Sequence, residues 1–125
     1  MLLDTNIIVD LFRGHKPAEL AFQKLLFGQK TSTITKLELI VGEISKQKIK
    51  GTLKKLEILG IEFLPITPEI GDLAEKILGN YYHSHGIGIM DAIIASTAIV
   101  YNEELVTQNT KHFSFIPNLK LLKPY

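Results

Sequence analysis

Cysteine is absent from this 125-residue sequence, and arginine occurs once, as Arg13. Without thiols there can be no disulfide, thiolate metal site or cysteine nucleophile, so any metal must be held by oxygen or imidazole groups. A single guanidinium argues against sequence-specific recognition of duplex DNA, which relies on bidentate arginine contacts to bases. No apolar run approaches the roughly 18 residues of a membrane span, and the chain opens on an apolar segment without the basic stretch of a signal peptide. We therefore expect a cytoplasmic protein that does not enter the membrane.

The composition is that of a compact globular protein, with 46% hydrophobic and 22% charged residues. We expect residues 1–125 to form a single domain. The formal net charge of +1 conceals a cluster of five lysines within ten residues: Lys46, Lys48, Lys50, Lys54 and Lys55. Such a cluster can attract phosphate, but a solvated helix face is the simpler interpretation.

Short apolar runs alternate with amphipathic stretches along the chain, which is the pattern of strand, helix, strand. The predicted strands are residues 1–3, 31–34, 61–66, 105–107 and 119–122. The predicted helices are residues 7–12, 18–27, 35–44, a lysine-rich stretch up to 60, 67–82 and 92–100. The helix that follows residue 35 is predicted to carry Leu37, Ile40, Val41 and Ile44 on one face. Strands separated by helices predict a mostly parallel sheet of about five strands in a three-layer α/β/α sandwich.

Three acids stand at positions where an open α/β fold places its chemistry. Asp4 ends the first predicted strand, Glu38 lies in the first turn after the second, and Asp91 begins a buried helix. Each alone has a structural explanation, since Asp4 and Asp91 suit helix caps and Glu38 suits the border of an apolar stripe. Together they would meet at the carboxyl edge of the sheet, where mutual repulsion would raise their pKa values unless a cation neutralised them.

Four motifs in these segments resemble those of the PIN-domain ribonucleases, specifically the VapC-type toxins of prokaryotic toxin-antitoxin systems. They are LDTNII at residues 3–8, TITKLELIVG at 33–42, IGIMDAIIA at 87–95 and LVTQNTKHF at 105–113. Each motif is short, but their order and spacing extend the resemblance over the whole chain.

The resemblance implies an endoribonuclease in which Asp4, Glu38 and Asp91 bind Mg²⁺ or Mn²⁺ and RNA is hydrolysed to a 5′-phosphate and a 3′-hydroxyl. A further acid that many members carry in the last motif is replaced here by Asn109 or His112. Asn109 is a candidate ligand through its amide oxygen, and a second metal site would be weaker without the missing charge. The groups expected to orient carboxylates or water are Thr5, Asn6 and Thr107.

The resemblance also implies two protein partners, a small VapB-type antitoxin across the catalytic groove and a second copy of the chain in a homodimer. We expect the antitoxin helix in a groove near Leu20, Leu37 and Leu53.

Other functions meet specific objections in the sequence. A phosphoacceptor receiver domain needs an aspartate at a mid-chain strand end, and none occurs between Asp10 and Asp72. A haloacid-dehalogenase-like phosphatase needs a second acid where Asn6 stands. A zinc site shared by His83 and His85 lacks a third nitrogen or sulfur ligand nearby. The alternative that stays open is a PIN-like domain that has weakened catalysis and binds RNA or protein.

Overall fold

The computed structural model describes residues 1–25 and 28–125, and its centre is a sheet of five parallel strands. The strands, which are shorter than predicted, are β1 (Leu2–Leu3), β2 (Lys30–Ser32), β3 (Glu62–Leu64), β4 (Leu105–Val106) and β5 (Leu121–Leu122). Their order across the sheet is β3-β2-β1-β4-β5. The predicted parallel α/β/α architecture is therefore confirmed.

Six α-helices connect the strands in the described part of the chain. They are α1 (Thr5–Phe12), α2 (Lys16–Lys24), α3 (Thr33–Val41), α4 (Lys46–Ile58), α5 (Pro68–His85) and α6 (Ile89–Val100). A short 3₁₀ turn follows β4 at Thr110–His112. No helix in the described ranges is long and apolar enough to cross a membrane.

The central strand β1 is apolar on both sides because both faces of the sheet are covered. Leu2 and Leu3 are fully buried and belong to two different hydrophobic clusters. Consecutive side chains of a strand point to opposite faces, so the two leucines contact opposite layers. Asp4 follows β1 directly and is the first polar residue after this buried strand. The carboxyl edge at Asp4 is therefore where polar chemistry can begin.

The first three helices each begin two residues earlier than predicted, and polar side chains cap two of them. Asp4 caps α1, which begins at Thr5 instead of residue 7. Ser32 Oγ accepts a hydrogen bond from the Ile34 N–H at 3.2 Å, so α3 begins at Thr33 and Glu38 lies in its second turn, not its first. Helix α2 begins at Lys16 and ends at Lys24, and the predicted end at residue 27 lies outside the described residues.

The apolar face predicted for the helix after residue 35 is largely exposed. Leu37, Val41 and Ile44 are 46%, 84% and 91% exposed, whereas Ile34 and Leu39 are buried. The buried residues of α3 thus lie nearer its start, Val41 is its last residue, and Ile44 lies beyond its end. Its far end therefore presents apolar side chains to solvent.

Candidate functional site

Asp4 is held rigidly at the junction of β1 and α1. Its carboxylate Oδ1 accepts from the Thr5 N–H at 2.7 Å, and Oδ2 accepts from Asn6 Nδ2 at 2.8 Å and from Thr107 Oγ1 at 2.6 Å. Only 4% of the residue is exposed. Asp4 thus caps α1, as the structural interpretation predicted, but it also presents a fixed, buried carboxylate at the carboxyl edge of the sheet.

Glu38 reaches the same edge from α3. Thr5 Oγ1 donates to Glu38 Oε1 at 2.9 Å, and the hydroxyl groups of Thr5 and Thr35 lie 3.0 Å apart. Thr35 is fully buried. A threonine at the start of α1 therefore links the second acid to the strand end that carries the first.

Asp91 lies in the first turn of α6 and not at its N-cap, which is Gly88, so the capping interpretation of Asp91 was wrong. A carboxylate in a first turn is favoured by the positive end of the helix dipole. His112 Nδ1 lies 3.5 Å from Asp91 Oδ2. The last motif thus contacts the third acid through an imidazole, at one of the two positions considered for the missing acid.

The three acids line one open cleft of about 430 Å³. Asn109 is exposed at the rim, where its N–H donates to Thr107 Oγ1 at 3.0 Å. The residues that surround the cleft are Asp4, Thr5, Asn6, Val9, Asp10, Arg13, Glu38, Asp91, Asn109 and His112. The structure therefore brings the predicted acids, Asn109 and His112 to one place, with Thr5, Asn6 and Thr107 hydrogen-bonded around them.

The electrostatics of the cleft disfavour three negative charges without a counter-ion. Burial raises the pKa of Asp4, and hydrogen bonds from Thr107 and others only partly oppose it. Burial also raises the pKa of Glu38, with further contributions from the charges of Asp4 and Asp91. The pKa of Asp91 is raised by burial and by Asp4, against the opposing effect of His112. Each ionised acid thus makes ionisation of the next less favourable.

The chemistry of the donors fits a hard divalent cation, since carboxylate and amide oxygens are the ligands of Mg²⁺ and Mn²⁺. The described residues, 1–25 and 28–125, nevertheless contain no group of three His, Asp or Glu side chains already arranged around one ion position. The acids therefore share a cleft but are not yet gathered as a complete coordination shell.

His83 and His85 do not form the alternative zinc pair. Both lie in the last turn of α5, which extends beyond the predicted end at residue 82 and stops at Gly86, where φ is +67°. Residues two apart on a helix do not face each other. The ring of His85 stacks on Phe115 instead, with centroids 4.1 Å apart.

Sequence reasoning missed three residues around the acids: Thr35, Asp10 and Arg13. The sequence did not indicate a role for Thr35 at the site, because threonine next to a strand end is ordinary. It did indicate one for Asp10 and Arg13. They follow Asn6 at intervals of four and seven residues, which places all three on one face of a helix. Helix α1 consequently lines the cleft with its whole polar side.

Comparison with known proteins agrees with this geometry. The model of the PIN domain family matches residues 1–117. Ribonuclease VapC19 of Mycobacterium tuberculosis is 31% identical over 122 residues, which cover 95% of this chain and 96% of that protein. Ribonuclease VapC of Rickettsia bellii is 34% identical over 129 residues, which cover 98% of this chain and 94% of its own.

Solved structures show the same relationship. A toxin-antitoxin complex from Klebsiella pneumoniae aligns with a TM-score of 0.79 and 30% identity, covering 99% of this chain and 97% of its own. VapBC2 from Rickettsia felis, bound to a DNA fragment from its promoter, aligns with a TM-score of 0.73 and 31% identity, covering 97% of this chain and 96% of its own. The fold, the shared cleft of acids and the similarity over almost the whole chain together establish that this chain belongs to the PIN-domain family, among the VapC ribonucleases.

Proposed function

We propose that the protein is a Mg²⁺- or Mn²⁺-dependent endoribonuclease that acts as the toxin of a VapBC-type pair. The observation that carries this proposal is the single cleft lined by Asp4, Glu38 and Asp91 at the carboxyl edge of the sheet. Buried carboxylates with raised pKa values favour a bound cation, and the family supplies the reaction class. We further propose that residues 1–125 form one nuclease domain and that it acts in the cytoplasm.

In this mechanism Asp4, Glu38 and Asp91 would hold the metal, and Asn109 would contribute its amide oxygen. When bound, Mg²⁺ or Mn²⁺ supplies Lewis-acid activation of water and charge stabilisation at the phosphate. Attack by water needs no 2′-hydroxyl nucleophile, so the products carry a 5′-phosphate and a 3′-hydroxyl.

The hydrogen bonds of the cleft support positioning roles for its threonines and for Asn6. Thr107 and Asn6 donate to one oxygen of Asp4 and the Thr5 N–H donates to the other, so the carboxylate is held in one orientation at the cleft. Thr5 donates to Glu38 and restricts its rotamers. Such outer contacts orient ligands and tune metal affinity.

This chain differs from the family members that carry a further acid in the last motif. Asn109 adds no charge, and the nearby His112 contacts Asp91. A second dication would therefore meet less negative charge than in a four-acid site, and we propose that one tightly held ion is sufficient.

Purified protein, free of antitoxin, should cleave a mixed pool of structured RNAs with Mg²⁺ or Mn²⁺ and should not do so with a chelator. Primer extension maps the cuts, and digestion by a 5′-phosphate-dependent exonuclease identifies the ends. Absence of cleavage by folded, metal-loaded protein would favour the alternative binding module. Cleavage in chelator that leaves cyclic phosphates would contradict the hydrolytic mechanism.

We also propose a VapB-type antitoxin as partner, since the structural relatives include toxin-antitoxin complexes. A groove of about 520 Å³ between α1, α2 and α4 offers an apolar floor for its helix. The groove is lined by Leu11, Phe12, Glu19, Phe22, Gln23, Lys55, Ile58 and Leu59. Leu20, Leu37 and Leu53, near which the sequence places the antitoxin helix, do not line this groove, so we propose the groove in place of that location. Leu53 instead packs against the core.

Ile58→Glu should weaken binding of the VapB-type antitoxin about tenfold or more, because it places a charge in the apolar groove. Ile58 is 74% exposed, so the substitution should spare the fold. Ile44→Glu, at a 91% exposed position outside the groove, is the matched control. Titration calorimetry compares the two, and equal affinities would exclude the groove.

We assign the proposed homodimer to Val41, an apolar side chain that is 84% exposed at the end of α3. Val41→Glu should shift the protein towards the monomer, which sedimentation measures, and an unchanged oligomeric state would contradict the assignment.

A further inference from the structure

Arg13 stands at the end of the polar stripe that α1 presents to the cleft. Asn6, Val9, Asp10 and Arg13 follow the spacing of one helix face and all line the cleft. Asp4 lies at the opposite end of the same helix, about 13 Å away at 1.5 Å per residue. Side chains on a helix lean towards its N-terminus, which is the end of α1 that lies at Asp4.

The guanidinium has no partner within the described residues. None of the ion pairs and side-chain hydrogen bonds in ranges 1–25 and 28–125 involves it, and Arg13 is exposed. The nearest acid on its helix face, Asp10, accepts a hydrogen bond from the Tyr125 hydroxyl at 2.7 Å instead. Burial and this hydrogen bond raise the pKa of Tyr125, so the hydroxyl stays protonated and keeps donating. As far as residues 1–25 and 28–125 are concerned, the N–H donors of the Arg13 side chain are thus free for a ligand.

The cleft is negatively charged, so binding of RNA there requires a positively charged donor such as the Arg13 guanidinium. Three carboxylates and one dication leave a net negative charge, and Asp10 adds another. RNA is a polyanion, and the acids of this cleft repel its phosphates. Among the residues that line the cleft, Arg13 and His112 are the two that can carry a positive charge, and His112 contacts Asp91.

In the described part of the chain, a cavity of about 380 Å³ adjoins the cleft. Another cavity, of about 420 Å³, lies on α5 and shares no residue with the cleft. The adjoining cavity shares Thr5, Val9, Arg13 and Glu38 with the cleft and continues towards Gly42. Arg13 therefore stands where a strand leaving the acids would pass.

We propose that Arg13 is a phosphate-positioning residue, whose guanidinium binds a non-scissile phosphate of the RNA beside the metal-binding acids. This inference rests on the proposed ribonuclease function. A planar guanidinium binds two phosphate oxygens at once, which fixes the register of the strand as well as its affinity. If Arg13 only stabilised the negative C-terminal end of the α1 dipole, any positive charge would be sufficient and its loss would affect stability alone.

The test separates binding from cleavage and from folding. Arg13→Gln and Arg13→Lys are compared with Lys24→Gln, which removes one charge from an exposed position on α2 that lines neither cavity. Binding of labelled single-stranded RNA is measured by fluorescence anisotropy against salt, in an Asp91→Asn background that prevents cleavage. Steady-state cleavage and the midpoint of thermal unfolding are measured in the otherwise wild-type chain.

For Arg13→Gln we expect KM to rise about tenfold with kcat nearly unchanged, and the slope of log K against log[salt] to fall by about 0.7, the value of one phosphate contact on a single strand. Arg13→Lys should restore the slope but only part of the affinity, because it loses the bidentate geometry. Lys24→Gln should leave both unchanged. A salt slope and KM equal to those of the wild type, or a lower unfolding midpoint as the sole effect of Arg13→Gln, would overturn the inference. If the wild type cleaves no RNA, the proposed function fails, and the binding arm still decides the role of Arg13.

Discussion

Replacing Asp91 by Asn is expected to lower kcat/KM for RNA cleavage by on the order of 10³-fold, because an amide keeps the shape of the carboxylate but removes a ligand charge. Asp91 lies beside Asp4 and Glu38, and its pKa is raised by burial and by the charge of Asp4. Without a cation, ionisation of Asp91 is therefore unfavourable in the folded chain. Loss of the charge should therefore leave the metal-free fold as stable as before, or slightly more stable.

This combination of outcomes separates a metal ligand from a structural acid. Asp72→Asn is the matched control, since Asp72 is exposed on α5 and lines a different cavity. The control should retain activity within about twofold. Cleavage at the wild-type rate by folded Asp91→Asn would remove Asp91 from the site. A marked fall in its unfolding midpoint without metal would instead assign Asp91 a structural role.

Asp91 is a better position for this test than Asp4, because only a carboxylate satisfies the hydrogen-bond donors around Asp4. Both oxygens of Asp4 accept hydrogen bonds, from Thr5 N, Asn6 Nδ2 and Thr107 Oγ1. An asparagine there would turn an amide group towards at least one donor, which costs roughly 1–3 kcal/mol for each unsatisfied buried group. Inactivity of Asp4→Asn would therefore mix loss of metal with distortion of the edge of the sheet.

The sheet could be predicted from sequence because its determinants are local. Alternating apolar runs and amphipathic stretches identified all five strands, and right-handed crossovers between parallel strands leave few topologies. The apolar pair before Asp4 also placed that acid at the carboxyl edge. The starts of α1 and α3 differed by two residues from the prediction, because Asp4 and Ser32 hydrogen-bond to the backbone and begin helices that apolar periodicity alone starts later.

The arrangement of the side chains that line the cleft could not be predicted in the same way, because it depends on contacts between distant segments. Asp10 is held by Tyr125, which is 115 residues away in the chain, and Glu38 by Thr5. Nothing in the local sequence around Arg13 shows that the acid three residues before it is already engaged. The exposure of Val41 and Ile44 is a related case, since periodicity finds an apolar stripe but not whether the core reaches it.

The apo protein is expected to become less stable as the pH rises from about 4 towards neutrality. Asp4, Glu38 and Asp91 have raised pKa values in the fold, so the native state binds more protons than the unfolded chain in that window. Stability then falls with rising pH, and the loss is complete above the folded-state pKa values. Glu103 acts in the opposite sense: its pKa is lowered by hydrogen bonds from Lys30 and the N-terminus, outweighing burial, so its contribution is lost as pH falls.

Adding Mg²⁺ or Mn²⁺ should reverse this pH dependence, because the ion binds the ionised acids and not the protonated ones. At a free ion concentration one hundred times the dissociation constant, binding adds about 2.7 kcal/mol to the free energy of unfolding. Urea unfolding from pH 4.5 to 7.5, in chelator and in saturating metal, measures both curves. Asp91→Asn isolates the site from Glu103, since only the wild type should show the full metal-dependent gain at neutral pH. Two curves that coincide in chelator and in metal would contradict a cation site at the three acids, whatever the cleavage assay shows.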